Sequence, residues 1–253
     1  NEGWSYDDVL PYFMRAEDQE NGDSEFHGKG GPLGVSNVRM NRPICDAFIE
    51  ACIQAGIPEN NDFNGETQEG VGYYQFTTKN GQRCSAAKAY LKPARNRQNL
   101  TVETNILVTR VVLKDGRAVG VEGLREGATL TFSAKREVIM SAGAIGSPHI
   151  LQLSGIGNGN WLKDVGIDVI HELPGMGGNL QDHMQAKNIY KTNVTTLNDE
   201  VKNPLRKLKM GWDYFTSRTG PMTMAASIVG FFARSLPELD RPDIQLNMQP
   251  LSA

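Results

Sequence analysis

Val138-Ile139-Met140-Ser141-Ala142-Gly143-Ala144-Ile145-Gly146-Ser147-Pro148-His149-Ile150-Leu151-Gln152-Leu153-Ser154-Gly155-Ile156-Gly157 is the stretch from which the fold is read. It opens on large apolar residues in a row, the pattern of a buried strand. It then turns through small residues, glycines among them. Ser147 reads as a helix N-cap and Pro148 as the first helical residue. Ile150, Leu151 and Leu153 give the helix an apolar face, and Ser154-Gly155 ends it. A strand, a small-residue turn and a helix start form a place where a ligand can lie against backbone, with free N–H groups favouring an anionic or polar group. By physics alone this is a crossover unit of an α/β sheet and no more.

The 253 residues suffice for one large or two small domains. A chain of this size buries roughly three-quarters of its unfolded surface, so a core can form. Hydrophobic residues make up 39% and glycines number 27, a balance that suits a loop-rich α/β or α+β protein. The net charge of −3 points to neither nucleic acid nor an acidic membrane as a bulk partner. Cys45, Cys52 and Cys84 are odd in number and lack CxxC spacing, so they read as reduced cytosolic thiols and not as a disulfide framework or metal site. No signal peptide and no long apolar run is present, which gives a cytoplasmic expectation. GxGxxG, GxSxG, HExxH and phosphate-loop spacings are all absent.

Along the chain, Ser5 and Asp8 form a capping box, with Trp4 and Val9 placed as a staple. Pro11 is expected to break the helix that starts there, and Tyr12, Phe13 and Ala16 to pack inward. Residues 20–41 read as a long loop in which His27 is a hydrogen-bonder before it is a catalyst. Pro43 to Ala55 is the clearest helix, with Ile44, Phe48 and Cys52 on a core stripe and Gly56 as its stop. Tyr73 to Thr78 reads as one strand, Asn80-Gly81 as a hairpin turn, and Ser85 to Leu91 as a short helix stopped before Pro93. Leu100 to Ser141 is a β run: Leu100–Glu103, Ile106–Leu113, an Asp115-Gly116 turn, Arg117–Leu124, Thr129–Ser133 and Glu137–Met140. Trp161 to Val165 is a short helix, Ile167 to Ile170 a strand, and Asn188 to Thr192 another. Pro204 to Thr219 is an amphipathic helix with Leu205, Leu208, Trp212 and Phe215 on one stripe. Arg206, Lys207 and Lys209 lie on its other side, a solvated face before a membrane-binding one. Ile228 to Ala233 is a strand. Ile244, Leu246 and Met248 alternate with Gln245, Asn247 and Gln249, a sheet with one buried face.

The central string, with Gly143-Ala144, Ser147-Pro148, Ile150-Leu151 and Ser154-Gly155-Ile156-Gly157 at this spacing, closely resembles a signature of the glucose–methanol–choline (GMC) flavin oxidoreductases. Pro174-Gly175-Met176-Gly177-Gly178-Asn179-Leu180-Gln181-Asp182-His183 resembles that family's PGxGxNLQDH segment. Gly3 to Phe13 and Arg83 to Pro93 also resemble it, so the likeness runs along nearly the whole chain. It implies the central part of a GMC-type FAD-binding domain with part of an antiparallel-sheet substrate domain. The implied division is 1–34 as the FAD-domain and lid connection, 35–80 as a substrate-domain excursion, 81–186 as FAD-binding, and 187–253 as an incomplete substrate-domain sheet. The segment reads as the middle of a longer protein, with the dinucleotide fingerprint expected before it and the catalytic histidine after it.

The resemblance implies FAD as cofactor, with Ser141, Ala142, Gly143 and Ala144 meeting its ADP half and Val108 meeting the adenine through backbone groups. Without the resemblance, Val108 is equally an ordinary strand valine. The implied activity is oxidation of an alcohol, choline-like or another primary alcohol, as in the choline dehydrogenase-like bacterial members. A histidine base takes the hydroxyl proton while hydride leaves for the flavin. None of His27, His149, His171 or His183 matches the family's catalytic position, so no catalytic residue and no metal ligand is nominated. Asp182 is expected to cap a neighbouring N–H. The alternative is a GMC-fold lyase or a non-redox flavin binder. The 253-residue segment alone is expected neither to hold FAD firmly nor to oxidise alcohols. Its exposed apolar surface would favour a homo-oligomer, and peripheral membrane association at the inner face is the remaining option for the whole protein.

Overall fold

The computed structural model describes residues 2–251 and divides the chain into two units, Asn1–Leu100 with Asn188–Ala253, and Thr101–Lys187. Asn1, Ser252 and Ala253, at the outer ends of the expected 1–34 and 187–253 segments, lie outside the described residues. Residues 81–100, grouped with the FAD-binding segment in the sequence, fall in the first unit.

The first unit begins with helix α1, Tyr6–Ala16, whose capping box is made by Ser5 and Asp8 as expected. Pro11 does not break it: the helix runs through the ring. Loss of one N–H bond is tolerated in a helix whose start is closed by a capping box. Tyr12 and Phe13 point to solvent, not inward. A strand forms within the expected loop at 20–41: β1, Glu17–Gln19, lies just before that loop and pairs in parallel with β2, Leu33–Asn37, inside it. Helix α2, Pro43–Gln54, starts on proline, and Gly56 follows its end at φ +91°, in the left-handed region. The expected strand at 73–78 is three short ones: β3, Gly70–Tyr73; β4, Gln75–Phe76; and β5, Thr78–Lys79. Each pairs in a different sheet, because the chain changes direction twice within ten residues. β4 pairs with β2, and β5 pairs with β6, Gln82–Arg83, across the Asn80-Gly81 turn. Both turn residues have positive φ, 52° and 66°, as a tight hairpin demands. A π-helical turn, Ala87–Leu91, then runs on into α3, Lys92–Ala94, so Pro93 sits in the helix and does not stop it.

The second unit is a meander and a helical layer. β7, Leu107–Lys114, β8, Arg117–Arg125, and β9, Ala128–Ser133, form an antiparallel sheet in that order. Asp115-Gly116 makes the expected turn, at φ 52° and 74°. No strand forms at Leu100–Glu103 or at Glu137–Met140. Ile139 is 77% exposed, against the expectation of a buried strand. A strand needs a neighbour to accept its amides, and no described segment pairs with residues 137–141. Helix α4, Gly143–Leu153, follows and packs on β7. β10, Ile156–Gly157, pairs in parallel with β11, His171–Glu172, one residue beyond the strand expected at 167–170. Between them lies α5, Gly159–Asp164, capped by the Asn158 side chain.

The chain returns to the first unit with α6, Leu197–Lys202, and α7, Pro204–Ser217. Asn188–Thr192 is not a strand. The α7 stripe is exposed: Leu205, Leu208, Trp212 and Phe215 keep 69–78% of their surface. β12, Val229–Ala233, and β13, Ile244–Met248, pair with each other, and β12 also pairs with β3, giving the order β13-β12-β3. Segments more than 150 residues apart in sequence thus share one sheet, as the Val229–Tyr73 pairing shows. Cys45, Val71, Ile228 and Val229 form the buried core between this sheet and α2, joined by Ile44, Phe48, Cys52, Phe231 and Met248. The expected burial of the whole apolar set on β13 does not occur. Met248 reaches the core, whereas Ile244 and Leu246 are exposed, because β13 is the sheet edge and α2 does not cover its far end.

Candidate cofactor-binding site

The candidate site in the second unit is the turn into α4. The helix starts at Gly143, ahead of the Ser147-Pro148 start read from the sequence. Ser147 does not cap forward. Its Oγ reaches back to accept the Ala142 amide at 2.9 Å, which fixes the turn from inside the helix. Pro148 lies within the helix, and its ring removes the N–H that would bond the Ala144 carbonyl. No side chain caps the helix start, so the first-turn amides from Gly143 onward have no intrahelical acceptor. Gly143 has φ +86°, and a Cβ there would meet no atom within 4 Å. Ser141, Ala142, Gly143 and Ala144 are all exposed. An exposed row of unpaired amides, beside small residues and open space, fits the phosphate-bearing part of a dinucleotide.

The far end of α4 is anchored to the sheet. Ser154, buried, accepts the Val111 amide at 2.8 Å. Val108 is half-buried in β7, opposite Gly123, and a bulge follows it before Arg110. β7 is an edge strand, so one side of its backbone faces away from β8. That leaves main-chain groups of β7 for a ligand, and the bulge re-aims them locally.

None of the four histidines lies in the turn itself. His149, on α4, is exposed, as are His171 in β11 and His183. Asp182 accepts the His183 amide at 2.8 Å, the capping role expected of it. His27, in the first unit, is buried and bonded to Glu17 and Asp62. Among the described residues, no group of three or more His, Cys, Asp or Glu is placed to hold a metal ion. No helix there is long and apolar enough to cross a membrane.

The first unit carries a second polar surface that the sequence reading passed over. Gly230 and Phe232 lie on the face of β12 opposite the core, paired with Asn247 and Gln245 of β13. The Tyr74 ring lies over Gly230, whose missing Cβ would sit 2.4 Å from Cζ. Tyr74 donates its hydroxyl to Asn247 Oδ1 at 2.8 Å and accepts from Gln245 Nε2 at 3.1 Å. Burial pushes the Tyr74 phenol up, against a smaller downward pull from the Gln245 amide. Phe63 closes the face, its ring 5.5 Å from Tyr74 and 5.0 Å from Phe232. Neither Tyr74 nor Phe63 stands in a motif, so only strand pairing reveals the cluster. A cleft of about 770 Å³ also opens beside β5 and the π-helical turn, lined by Lys79, Lys88, Arg97 and Arg218. Most of these cations are already engaged: Lys79 by Asp18, Lys88 by Gln82, and Arg218 over the Tyr214 ring.

The chain is 46% identical over 252 residues to human mitochondrial choline dehydrogenase, covering 98% of this chain and 42% of that protein. It is 41% identical to an oxygen-dependent choline dehydrogenase of Brucella suis biovar 1 (strain 1330), covering 99% of this chain and 45% of the relative. The chain therefore spans less than half the length of these relatives. The structure superposes on an FAD-dependent oxidoreductase from Chaetomium thermophilum with a TM-score of 0.81 and 26% identity, over 92% of this chain and 43% of the other. The model of the GMC oxidoreductase family matches residues 1–185. With nearly three-quarters of its length matched by the family model, this chain belongs to the GMC oxidoreductase family.

Proposed function

We propose that the chain is a segment of an enzyme that oxidises an alcohol with FAD as the acceptor, and that the alcohol is choline or a close analogue. The observation that carries the reading is the 46% identity to human choline dehydrogenase along 98% of this chain. FAD, when bound, would take the hydride from the carbinol carbon. This chain's part is to bind and orient. The turn into α4, with its exposed amides from Gly143 onward and the small Ser141, Ala142 and Ala144 leaving room, would meet the ADP half of the cofactor. The open side of β7 at Val108 would meet the adenine through backbone groups. Residues 35–80 and 187–253 would form the substrate domain, a reading supported by the pairing of β3 with β12, which also pairs with β13. Peripheral membrane association of the whole protein stays within this proposal, supported by the exposed α7 stripe beside Arg206, Lys207 and Lys209. None of the proteins compared above is named a lyase, and no observation favours the lyase or non-redox reading.

The test is anaerobic addition of choline to the full-length protein. Bleaching of the flavin absorbance with release of the aldehyde is expected. A protein purified without flavin, or a flavin that choline and other primary alcohols leave oxidised, would overturn the reading.

A further inference from the structure

His27 is held between two carboxylates. Its Nδ1 lies 2.9 Å from Glu17 Oε2, on β1, and its Nε2 lies 3.0 Å from Asp62 Oδ2, in the segment before β3. A carboxylate can only accept, and a neutral imidazole has one N–H to give. Both contacts are hydrogen bonds only if both ring nitrogens carry protons. We infer that His27 is an imidazolium latch: doubly protonated, it ties the tip of the 59–69 segment to β1, and loss of one proton as pH rises releases that tip.

The surroundings agree. Burial alone would lower the imidazole, but the Glu17 hydrogen bond and the charges of Asp62 and Glu17 together outweigh it and raise it above the ordinary 6.5. Glu17 and Asp62 are the charged groups facing the ring from the elements packed on it. The Gln19 amide beside the ring is neutral and is itself bonded to Gln75 of β4 at 3.0 Å. The two bonds are unequal in what they can survive. Glu17 is 17% exposed at its side chain and also accepts the Gly28 amide at 3.1 Å. Asp62 is 41% exposed, and its carboxylate also accepts the Asn64 amide at 3.1 Å, a local bond that does not depend on the ring. The remaining proton of a neutral ring therefore stays on Nδ1, facing Glu17, and the Nε2 lone pair then repels Asp62.

What moves follows from the other bonds of the segment. Asn60 is fixed by its amide to the Val71 carbonyl at 2.9 Å and by its side chain to the carbonyls of Thr67 and Glu69. The span beyond it, 61–66, is held by local bonds, the Asp62 amide to Asn60 Oδ1 at 2.7 Å and the Asn64 amide to Asp62 Oδ1 at 3.1 Å, with His27 as its tie to β1, and it carries Phe63, which covers Tyr74 and Phe232. Release of Asp62 would loosen Phe63 and uncover the Tyr74–Asn247–Gln245 cluster. This inference concerns the segment itself and stands whether or not the chain oxidises an alcohol.

The test is an NMR pH titration of the full chain. The His27 ring should titrate above 6.5, and the amides of 62–66 should shift with the same midpoint. Their hydrogen exchange should quicken about tenfold beyond the base-catalysed increase across it, as expected on losing a charge-assisted bond. Asp62→Asn should lower the midpoint, and His27→Gln should abolish the coupled shift. A His27 midpoint at or below the ordinary value, or 62–66 amides that ignore it, would overturn the latch. The unsubstituted chain decides the matter even if His27→Gln fails to fold.

Discussion

The Ser154 hydroxyl accepts the Val111 amide at 2.8 Å and donates to the Ile150 carbonyl at 2.6 Å. One small side chain thereby closes the end of α4 and takes the place of a neighbouring strand on the open edge of β7. Ser154→Ala should cost about 1–3 kcal/mol, since it leaves a buried amide without an acceptor. Urea unfolding is the measurement: the midpoint should fall with the slope unchanged. An unchanged midpoint would show that the Val111 amide finds another partner.

Gly143 stands at φ +86° with open space where a side chain would go. Any L-residue there strains the backbone by about 1–2 kcal/mol, so the α4 start should shift without a clash. In the full-length protein, Gly143→Val should sharply lower the flavin-to-protein ratio measured by absorbance. Full flavin retention would remove the α4 turn from the proposed site.

Val108 is proposed to act through its backbone on β7. Val108→Ile should leave flavin affinity nearly unchanged, whereas Val108→Pro removes the N–H and should abolish binding. Circular dichroism of the proline variant separates loss of the contact from loss of the sheet. Normal flavin content in a folded proline variant would end the assignment.

A Cβ on residue 230 would meet the Tyr74 ring at 2.4 Å. Gly230→Ala should therefore destabilise the first unit by about 1–3 kcal/mol through overpacking. The effect should shrink in a Tyr74→Ala background, because the clash is then gone. Equal losses in both backgrounds would count against the close approach of Tyr74.

The His27 latch has a sign that stability can read. Its imidazole is raised in the folded protein, so the folded state holds the proton more tightly than the unfolded chain. The contribution is fully present below the ordinary 6.5 and is lost as pH rises through the folded value. Unfolding midpoints should fall over that window in the unsubstituted chain and stay flatter in His27→Gln. The opposite slope would mean that burial, and not the carboxylates, governs the ring.

Local chemistry was legible in the sequence wherever neighbours in the chain decide the outcome. The Ser5–Asp8 capping box, the Asn80-Gly81 and Asp115-Gly116 turns, the α2 helix and its Gly56 stop, and the Ser154-Gly155 end of α4 depend on residues a few positions apart. Family membership was also legible, because it is carried by long strings with fixed spacing. What tertiary structure alone decided is which segments find partners. Val138-Ile139-Met140 has the composition of a buried strand but no described strand to pair with. The 73–78 run has one alternating pattern yet is divided among three sheets. His27 reads as a loop residue until the fold sets Glu17 on one side of its ring and Asp62 on the other. Composition states that a side chain can be buried or bonded. Only the path of the chain supplies the atom it is buried against, and for pairs as far apart as Cys45 and Met248 that path is set by the packing of the whole unit.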